Sequence, residues 1–339
     1  MSTRAKEITA ITVIVALSVF FYLRKISGSP YLLFSGTVSL LVFAVIALSL
    51  LWILIRTLTG RYVERRVVFL YIGIAVTLPL FMSLTQRVLV SPEVQSVLDN
   101  FEQLSPGARV LLSFDYDPPS APELQPMSEA CLYYCFEHDL KVIIMGLWPQ
   151  GPMQANLALR EVLNDENIRA KNLQYGVDYV NLGYQSGNEF VIQRMGSEFR
   201  SMFPTDFRGT PYEDIPLVKN VKNFSNIDYS VNVSVGYPGT REWVQIAVDR
   251  YGLKMGAANT AVQATEMYPY LRSGQLAGII GAMSGAAEFE FLVGRKANGT
   301  KYMLAQSVSH IIVISFIVIG NAAFFASRRA QGQEGQGRT

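Results

Sequence analysis

The pattern of apolar and polar residues divides the chain into long apolar runs near its two ends and short apolar runs in its middle. An α-helix rises about 1.5 Å per residue, so roughly 20 apolar residues span the hydrocarbon core of a bilayer. We therefore predict four transmembrane helices, at residues 8–23, 31–55, 67–84 and 311–327. The first run is also compatible with a signal peptide, but no small-residue cleavage pattern follows it, which favours an uncleaved helix.

These runs predict three regions. Residues 1–87 form an N-terminal membrane region with three helices, residues 88–306 form one soluble domain, and residues 307–339 form a C-terminal transmembrane helix with a short tail.

Within the soluble domain, short apolar segments alternate with amphipathic ones. The segment after Lys141 is entirely apolar, as expected of a strand that is covered on both faces. Each apolar segment is followed by a polar or glycine-containing loop and then a helix, an order typical of parallel sheets with right-handed crossovers. We predict an α/β fold, a mostly parallel three-layer Rossmann-like domain, with strands at residues 110–114, 141–145, 179–182, 229–235, 253–257 and 276–280. Residues 203–222, with three prolines, are expected to form an irregular excursion.

Composition supports a membrane protein, because 50% of the residues are hydrophobic and only 17% are charged. Charge is divided unevenly along the chain. Residues 87–306 carry 18 Lys and Arg against 24 Asp and Glu, whereas the two flanks carry 11 against 3. An acidic domain argues against nucleic acid as a partner, since a phosphate-binding domain is expected to be basic.

The distribution of arginine predicts how the chain is oriented. Short loops rich in Lys and Arg stay in the cytoplasm. The link between the second and third predicted spans contains Arg56, Arg61, Arg65 and Arg66. Both termini are then cytoplasmic and residues 88–306 are extracytoplasmic, in a multi-pass protein of the cell membrane. The pair Arg24 and Lys25 counts against this orientation, since it would lie outside.

Asp115 and Asp117 end the first predicted strand and are followed by two prolines. A strand followed by Asp-x-Asp is an arrangement in which one carboxylate attacks phosphorus and both help to hold Mg²⁺. The alternative is that Asp117 begins a proline turn. These two aspartates are the candidate catalytic residues.

The segment from Gly236 to Arg241 lies between a predicted strand and a helix. Backbone N–H groups and the helix dipole at such a position can receive an anion, and here Gly236, Gly239, Thr240 and Arg241 are the candidate ligand-binding residues. The segment lacks the spacing of a dinucleotide or P-loop fingerprint, and a tight turn needs glycine in any case.

Small residues are concentrated between Gly274 and Glu290. Close packing of backbones accounts for such a run. A ligand loop in which Ser284 caps a helix and Glu288 faces the site also accounts for it.

The two cysteines, Cys131 and Cys135, fall in one predicted helix with His138 on the same face. Without an evident fourth ligand, buried small residues are favoured over a metal site. The sequence identifies no cofactor.

Several runs, FDYDP followed by PELQP, GYPG-x3-WVQ and YPYL-x-SGQLAG-x7-AAEFE, resemble a family of uncharacterised prokaryotic membrane-anchored proteins over most of residues 105–292. The resemblance implies membrane anchoring with one α/β domain and implies nothing about substrate. The sequence therefore predicts a multi-pass membrane protein that displays a ligand-binding or assembly module, with the bilayer and a small anionic ligand or a membrane protein as partners. The alternative is a membrane-bound, metal-dependent hydrolase or phosphatase that uses Asp115 and Asp117.

Overall fold

The computed structural model describes residues 36–59, 64–77, 88–295 and 298–336. The chain divides into two compact units, and the α/β domain is the unit Arg87–Met303. The remaining residues, on both sides of it in the sequence, form the other unit.

Six parallel strands form a single sheet in the α/β domain, which confirms the predicted α/β fold and all six predicted strands. In chain order they are β1 (Arg109–Asp115), β2 (Lys141–Gly146), β3 (Tyr179–Tyr184), β4 (Tyr229–Ser234), β5 (Met255–Asn259) and β6 (Ile279–Gly281). The strand order across the sheet is β3-β2-β1-β4-β5-β6.

Strand β1 lies at the centre of this sheet. Leu112 pairs in register with Ile144 of β2 on one side and with Val231 of β4 on the other. The chain thus adds β2 and then β3 on one side of β1. It then returns to the centre and adds β4, β5 and β6 in turn on the other side. A crevice opens at such a reversal, beyond the carboxyl ends of the two central strands.

Helices follow the strands as the sequence predicts, with small differences in their bounds. Those of the domain are α3 (Pro92–Glu102), α4 (Ala121–Glu137), α5 (Gly151–Leu163), α6 (Glu166–Arg169), α7 (Glu189–Met195), α8 (Phe199–Met202), α9 (Thr240–Trp243), α10 (Asp249–Tyr251), α11 (Ala261–Arg272) and α12 (Ala282–Leu292). A π-helical segment, Val244–Val248, joins α9 to α10.

The helices cover both faces of the sheet, which makes the domain three-layered. Successive residues of β1 enter different cores: Val110 and Leu112 pack with α3, α4, α5 and α12, whereas Leu111 packs with α7, the π-helical segment and α11. This alternation is the period of two that a strand imposes. It also explains why most strand residues on both faces are apolar.

The helical segment that follows β3 is interrupted, and it forms two helices, α7 and α8. The chain leaves the helix at Gly196, where the ring of Tyr251 occupies the space that a Cβ would need. The excursion over residues 203–222 has short 3₁₀ turns and no strand within it, as predicted, and its shape is held in part by Tyr212, whose hydroxyl donates to the carbonyl of Val221 at 2.9 Å.

The membrane prediction is supported only in part. Helices α1 (Gly36–Leu58) and α2 (Arg65–Thr77) overlap the second and third predicted spans, and α13 (Asn298–Gln336) contains the fourth. Within the described ranges, one helical segment is long and apolar enough to cross a membrane, Asn298–Asn321, and Ala44–Arg56 is a shorter apolar one. The prediction of four transmembrane helices is therefore not established. The first predicted span, residues 8–23, lies outside the described residues.

Candidate functional site at the carboxyl edge of the sheet

The crevice between β1 and β4 is where a sheet of this strand order places its ligands. Strand β1 delivers Asp115 to this edge and strand β4 delivers Ser234. The loops that follow β1, β2, β4 and β5 surround these two strand ends.

Asp115 is fully buried beneath the loops and is the centre of a hydrogen-bond network. Its Oδ1 accepts from the backbone N–H of Leu147 at 2.6 Å. Its Oδ2 accepts from Ser113 Oγ at 2.8 Å, Asn232 Nδ2 at 2.6 Å and Trp243 Nε1 at 3.0 Å. Burial raises the pKa of Asp115 to about 6, and the four donors act in the opposite direction. One carboxyl group therefore joins β1, the loop after β2, β4 and α9.

The network continues beneath the loop after β4 to strand β5. Thr240 Oγ1 donates to Asn232 Oδ1 at 2.7 Å and accepts from Asn259 Nδ2 at 2.8 Å. Asn259 Nδ2 also lies 2.9 Å from Gln263 Oε1, and Gln263 Nε2 donates to the carbonyl of Gly236 at 3.2 Å. These buried side chains bond to one another, which fixes the positions of the loops above them; Asn259 Oδ1 alone in this network has no hydrogen-bond partner in the described part of the chain.

The structure separates the roles of the two candidate catalytic aspartates. Asp115 is enclosed, whereas Asp117 is half-buried at the start of a 3₁₀ turn, Pro118–Ser120, and accepts from Ser120 Oγ at 2.8 Å. Asp117 thus stands at the beginning of a proline-containing turn, which is the position that the alternative interpretation gave it. Asp115 does not project from the sheet edge as the sequence suggested, because its oxygens are directed into the network. Among the described residues, no three His, Cys, Asp or Glu side chains are grouped to hold a metal ion.

The glycines of the predicted anion site form a tight turn. A Cβ on Gly239 would overlap the carbonyl oxygen of Gly236, so glycine is required at that position for the close approach. The backbone N–H of Gly239 donates to Glu242 Oε2 at 2.8 Å, which places a carboxylate of the chain itself at the helix N-terminus. Thr240 is buried in the network, and Arg241 is exposed.

A cleft of about 180 Å³ lies beside this turn and includes Arg241, Glu242 and Glu266 in its lining. Arg241 forms an ion pair with Glu266 at 2.8 Å, so its charge is already compensated. Two carboxylates and one guanidinium do not favour an anionic ligand here.

Three loops are tied together across the crevice. Trp148, after β2, donates from Nε1 to the carbonyl of Pro238 at 2.9 Å. Tyr237, after β4, donates its hydroxyl to Glu189 Oε2 at 2.9 Å and accepts from Asn188 Nδ2 at 3.3 Å, both after β3. The place where a dinucleotide would enter is therefore bridged by side chains of this chain.

Large apolar side chains are exposed around these bridged loops. Tyr237, Phe190 and Val262 are 60%, 58% and 77% exposed, and each follows the carboxyl end of a strand. Met153 and Tyr184 are exposed at the same edge. We call these five residues the apolar rim. Large apolar side chains exposed along one edge of a folded domain make that edge a candidate surface for contact with another molecule.

The remaining predicted ligand residues belong to α12. The expectation that Ser284 caps this helix is wrong, because the helix begins at Ala282, two residues earlier. Glu288 does not face the crevice. Its Oε2 accepts from the backbone N–H of Ser91 at 2.9 Å and from Ser91 Oγ at 2.6 Å, at the start of α3.

Close packing explains the small residues that precede α12. A Cβ on Gly278 would lie 2.6 Å from Val97 Cγ2 and 2.7 Å from the backbone nitrogen of Val97, so only glycine admits α3 at this distance. The packing interpretation of this run therefore accounts for the geometry. Cys131 and Cys135 are buried in α4, and burial raises the pKa of both thiols.

Sequence reasoning missed Trp148, Tyr237 and the polar network. A signal for the network was present, since Asn232 and Asn259 are amides within strands that are expected to be buried. A buried amide needs partners, and those partners are expected at the same sheet edge.

The fold and this edge define an α/β domain with a Rossmann-like strand order, a bridged crevice and an exposed apolar rim. No protein-family model, curated protein or solved structure matches the chain.

Proposed function

We propose that the chain is a multi-pass membrane protein that displays its α/β domain outside the cytoplasm as an assembly module, and that the apolar rim binds a partner protein. The apolar rim is the observation that supports this proposal. Most of the polar groups beneath it are hydrogen-bonded to one another, and Arg241 at the same edge is paired with Glu266, so the apolar side chains are the groups there that have no bonding partner of their own in the described part of the chain. The membrane part is supported by the apolar segment Asn298–Asn321 and by the arginine-rich link between the second and third predicted spans.

Cysteine labelling tests the topology cleanly, because both native cysteines are fully buried. Thr59 and Val177 are exposed, in the arginine-rich link and in the α/β domain respectively. We expect a membrane-impermeant maleimide to label Val177→Cys in intact cells and Thr59→Cys only after permeabilisation. The reverse pattern would invert the proposed topology.

Site-specific photocrosslinking in cells tests the module. We expect a photoreactive side chain at Tyr237 or Phe190 to give a discrete adduct with another protein. Val177 is the control position, since it is 40% exposed and precedes β3, at the amino ends of the strands and away from the apolar rim. Adducts that are equal at all three positions, or absent from the two rim positions, would refute a partner at the rim.

The hydrolase alternative is less well supported because Asp115 is enclosed. The alternative predicts Mg²⁺-dependent cleavage of a simple phosphomonoester by the purified chain, lost in Asp117→Asn, which leaves the buried network intact. An activity with that dependence would favour the enzyme over the module.

A further inference from the structure

A second surface of the domain lies away from the apolar rim and has the opposite character. It is a groove of about 670 Å³ at the amino end of β4. One wall is the connection from α7 to α8, and the other is the last part of the excursion, which leads into β4. Its charged lining consists of Arg194, Arg200, Lys219 and Lys222 with Glu198 and Glu213.

Backbone and buried contacts form this groove without its charged side chains. The N–H of Phe199 donates to the carbonyl of Lys222 at 2.8 Å, which joins the two walls. Tyr212 forms part of the floor and is held by its bond to the carbonyl of Val221. The N–H of Lys222 donates to Asn226 Oδ1 at 2.8 Å. A preformed groove binds a ligand with little ordering cost.

The cations of the groove are mostly uncompensated. Arg200 forms an ion pair with Glu213. The side chains of Arg194, Lys219 and Lys222 make no ion pair or hydrogen bond within the described part of the chain. Four cations and two carboxylates leave the groove with a net charge of +2. The surrounding region, residues 87–306, is by contrast net acidic.

We propose that this groove binds a phosphate monoester, either free in solution or at the end of a lipid headgroup. A phosphomonoester carries close to two negative charges at neutral pH, which matches the net charge of the groove. It offers three acceptor oxygens, one for each of the three unpaired cations, whereas a carboxylate offers two. Arginine binds such a group through paired N–H donors and lysine as a point charge. This site is independent of the apolar rim and does not rest on the proposed function.

The test uses the full chain in phosphatidylcholine nanodiscs, with glycerol 3-phosphate as the probe and glycerol as the uncharged control. We expect saturable binding by titration calorimetry that weakens about tenfold or more in Arg194→Gln and in Lys219→Gln, since a charge-assisted hydrogen bond contributes about 1.5–3 kcal/mol. Arg272→Gln removes an exposed charge outside the groove and should leave the affinity unchanged. Unchanged tryptophan fluorescence confirms that each variant is folded.

A second arm distinguishes the source of the phosphate. Nanodiscs that contain phosphatidic acid should compete with the soluble probe if the headgroup is the ligand, and should leave its binding unchanged if the ligand is soluble. Binding of the monoester should weaken as the pH falls through about 6, where the phosphate becomes a monoanion, whereas binding of sulfate should not. Absence of binding in both arms, or equal binding by the groove variants and Arg272→Gln, would overturn the proposal.

Discussion

The hydroxyl of Tyr229 in β4 lies beside Gly256 in β5. The effect of substituting one of these residues on stability should therefore depend on the identity of the other. Tyr229 is fully buried, and its hydroxyl has no hydrogen-bond partner in the described parts of the chain. A Cβ on Gly256 would overlap that hydroxyl oxygen, whereas it would lie 3.4 Å from Tyr229 Cζ. Removal of the hydroxyl should therefore stabilise the folded domain, and it should also make room for a methyl group at Gly256.

The expected free energies of unfolding follow from this geometry. Tyr229→Phe removes an unsatisfied buried hydroxyl, which costs roughly 1–3 kcal/mol, and keeps the edge-to-face contact of its ring with Phe101 at 5.0 Å. We expect it to stabilise the domain by about 1 kcal/mol. Gly256→Ala alone should destabilise the domain by about 1–3 kcal/mol, the cost of overpacking. Combined with Tyr229→Phe, it should cost close to nothing.

Urea titration of the detergent-solubilised chain, followed by tryptophan fluorescence, measures these changes. Trp243 is fully buried in the domain and serves as the reporter. The coupling energy of the double-mutant cycle should be about 1–3 kcal/mol. If Gly256→Ala costs the same in both backgrounds, the contact described here does not limit packing, and the reasoning is refuted.

Three further predictions concern the sheet edge and α12. The folded Asp115 keeps its proton up to about pH 6, whereas its ordinary pKa is 3.8, so its contribution to the free energy of unfolding is full below about pH 4 and falls by about 3 kcal/mol as the pH rises through 6. Asp115→Asn should remove this pH-dependent part from urea midpoints measured across the range. An unchanged pH profile in the variant would show that another group causes the dependence. Gly278→Ala should lower the free energy of unfolding by about 1–3 kcal/mol in thermal unfolding because its Cβ meets Val97, whereas Gly236→Ala, whose Cβ would lie 3.8 Å from Trp148, should lower it by less than about 1 kcal/mol. Glu290→Gln should speed amide hydrogen exchange in the first turn of α13 and leave α5 unchanged, since Glu290 caps only the former.

The α/β fold was predictable because each strand carries its own signal. Residues 142–145, and residues 110–114 except for Ser113, are apolar on both faces, and a sheet covered by helices on both sides accommodates such strands. The position of Asp115 was not predictable in the same way. Its partners Leu147, Asn232 and Trp243 lie 32, 117 and 128 residues further along the chain. A local pattern shows where a strand ends and does not show what encloses its last side chain.

The membrane region shows a different limit. Apolar length alone predicts a span, and it predicts the runs at 311–327 and 31–55 equally. Near the first of these the structure has a helical segment that is long and apolar enough, Asn298–Asn321, while α1 contributes a shorter apolar stretch, Ala44–Arg56. The groove charges were visible in the sequence, but Arg194 and Lys219 are 25 positions apart, and only the fold brings them to one surface.

Helix α12 has a mechanical consequence that follows from two of its glutamates. Glu288 holds Ser91 at the start of α3, and Glu290, which is fully buried, accepts from the backbone N–H groups of Gly299 at 2.8 Å and Thr300 at 2.9 Å at the start of α13. The segment by which the chain enters the domain and the segment by which it leaves are thus fastened to the same helix, two residues apart. Helix α3 is also fastened directly to the loop before β6, because Ser96 Oγ and Asn100 Nδ2 donate to the carbonyl of Ala277 at 2.6 and 3.0 Å. Force applied to either segment would therefore act on the same edge of the sheet, where β6 and α12 lie.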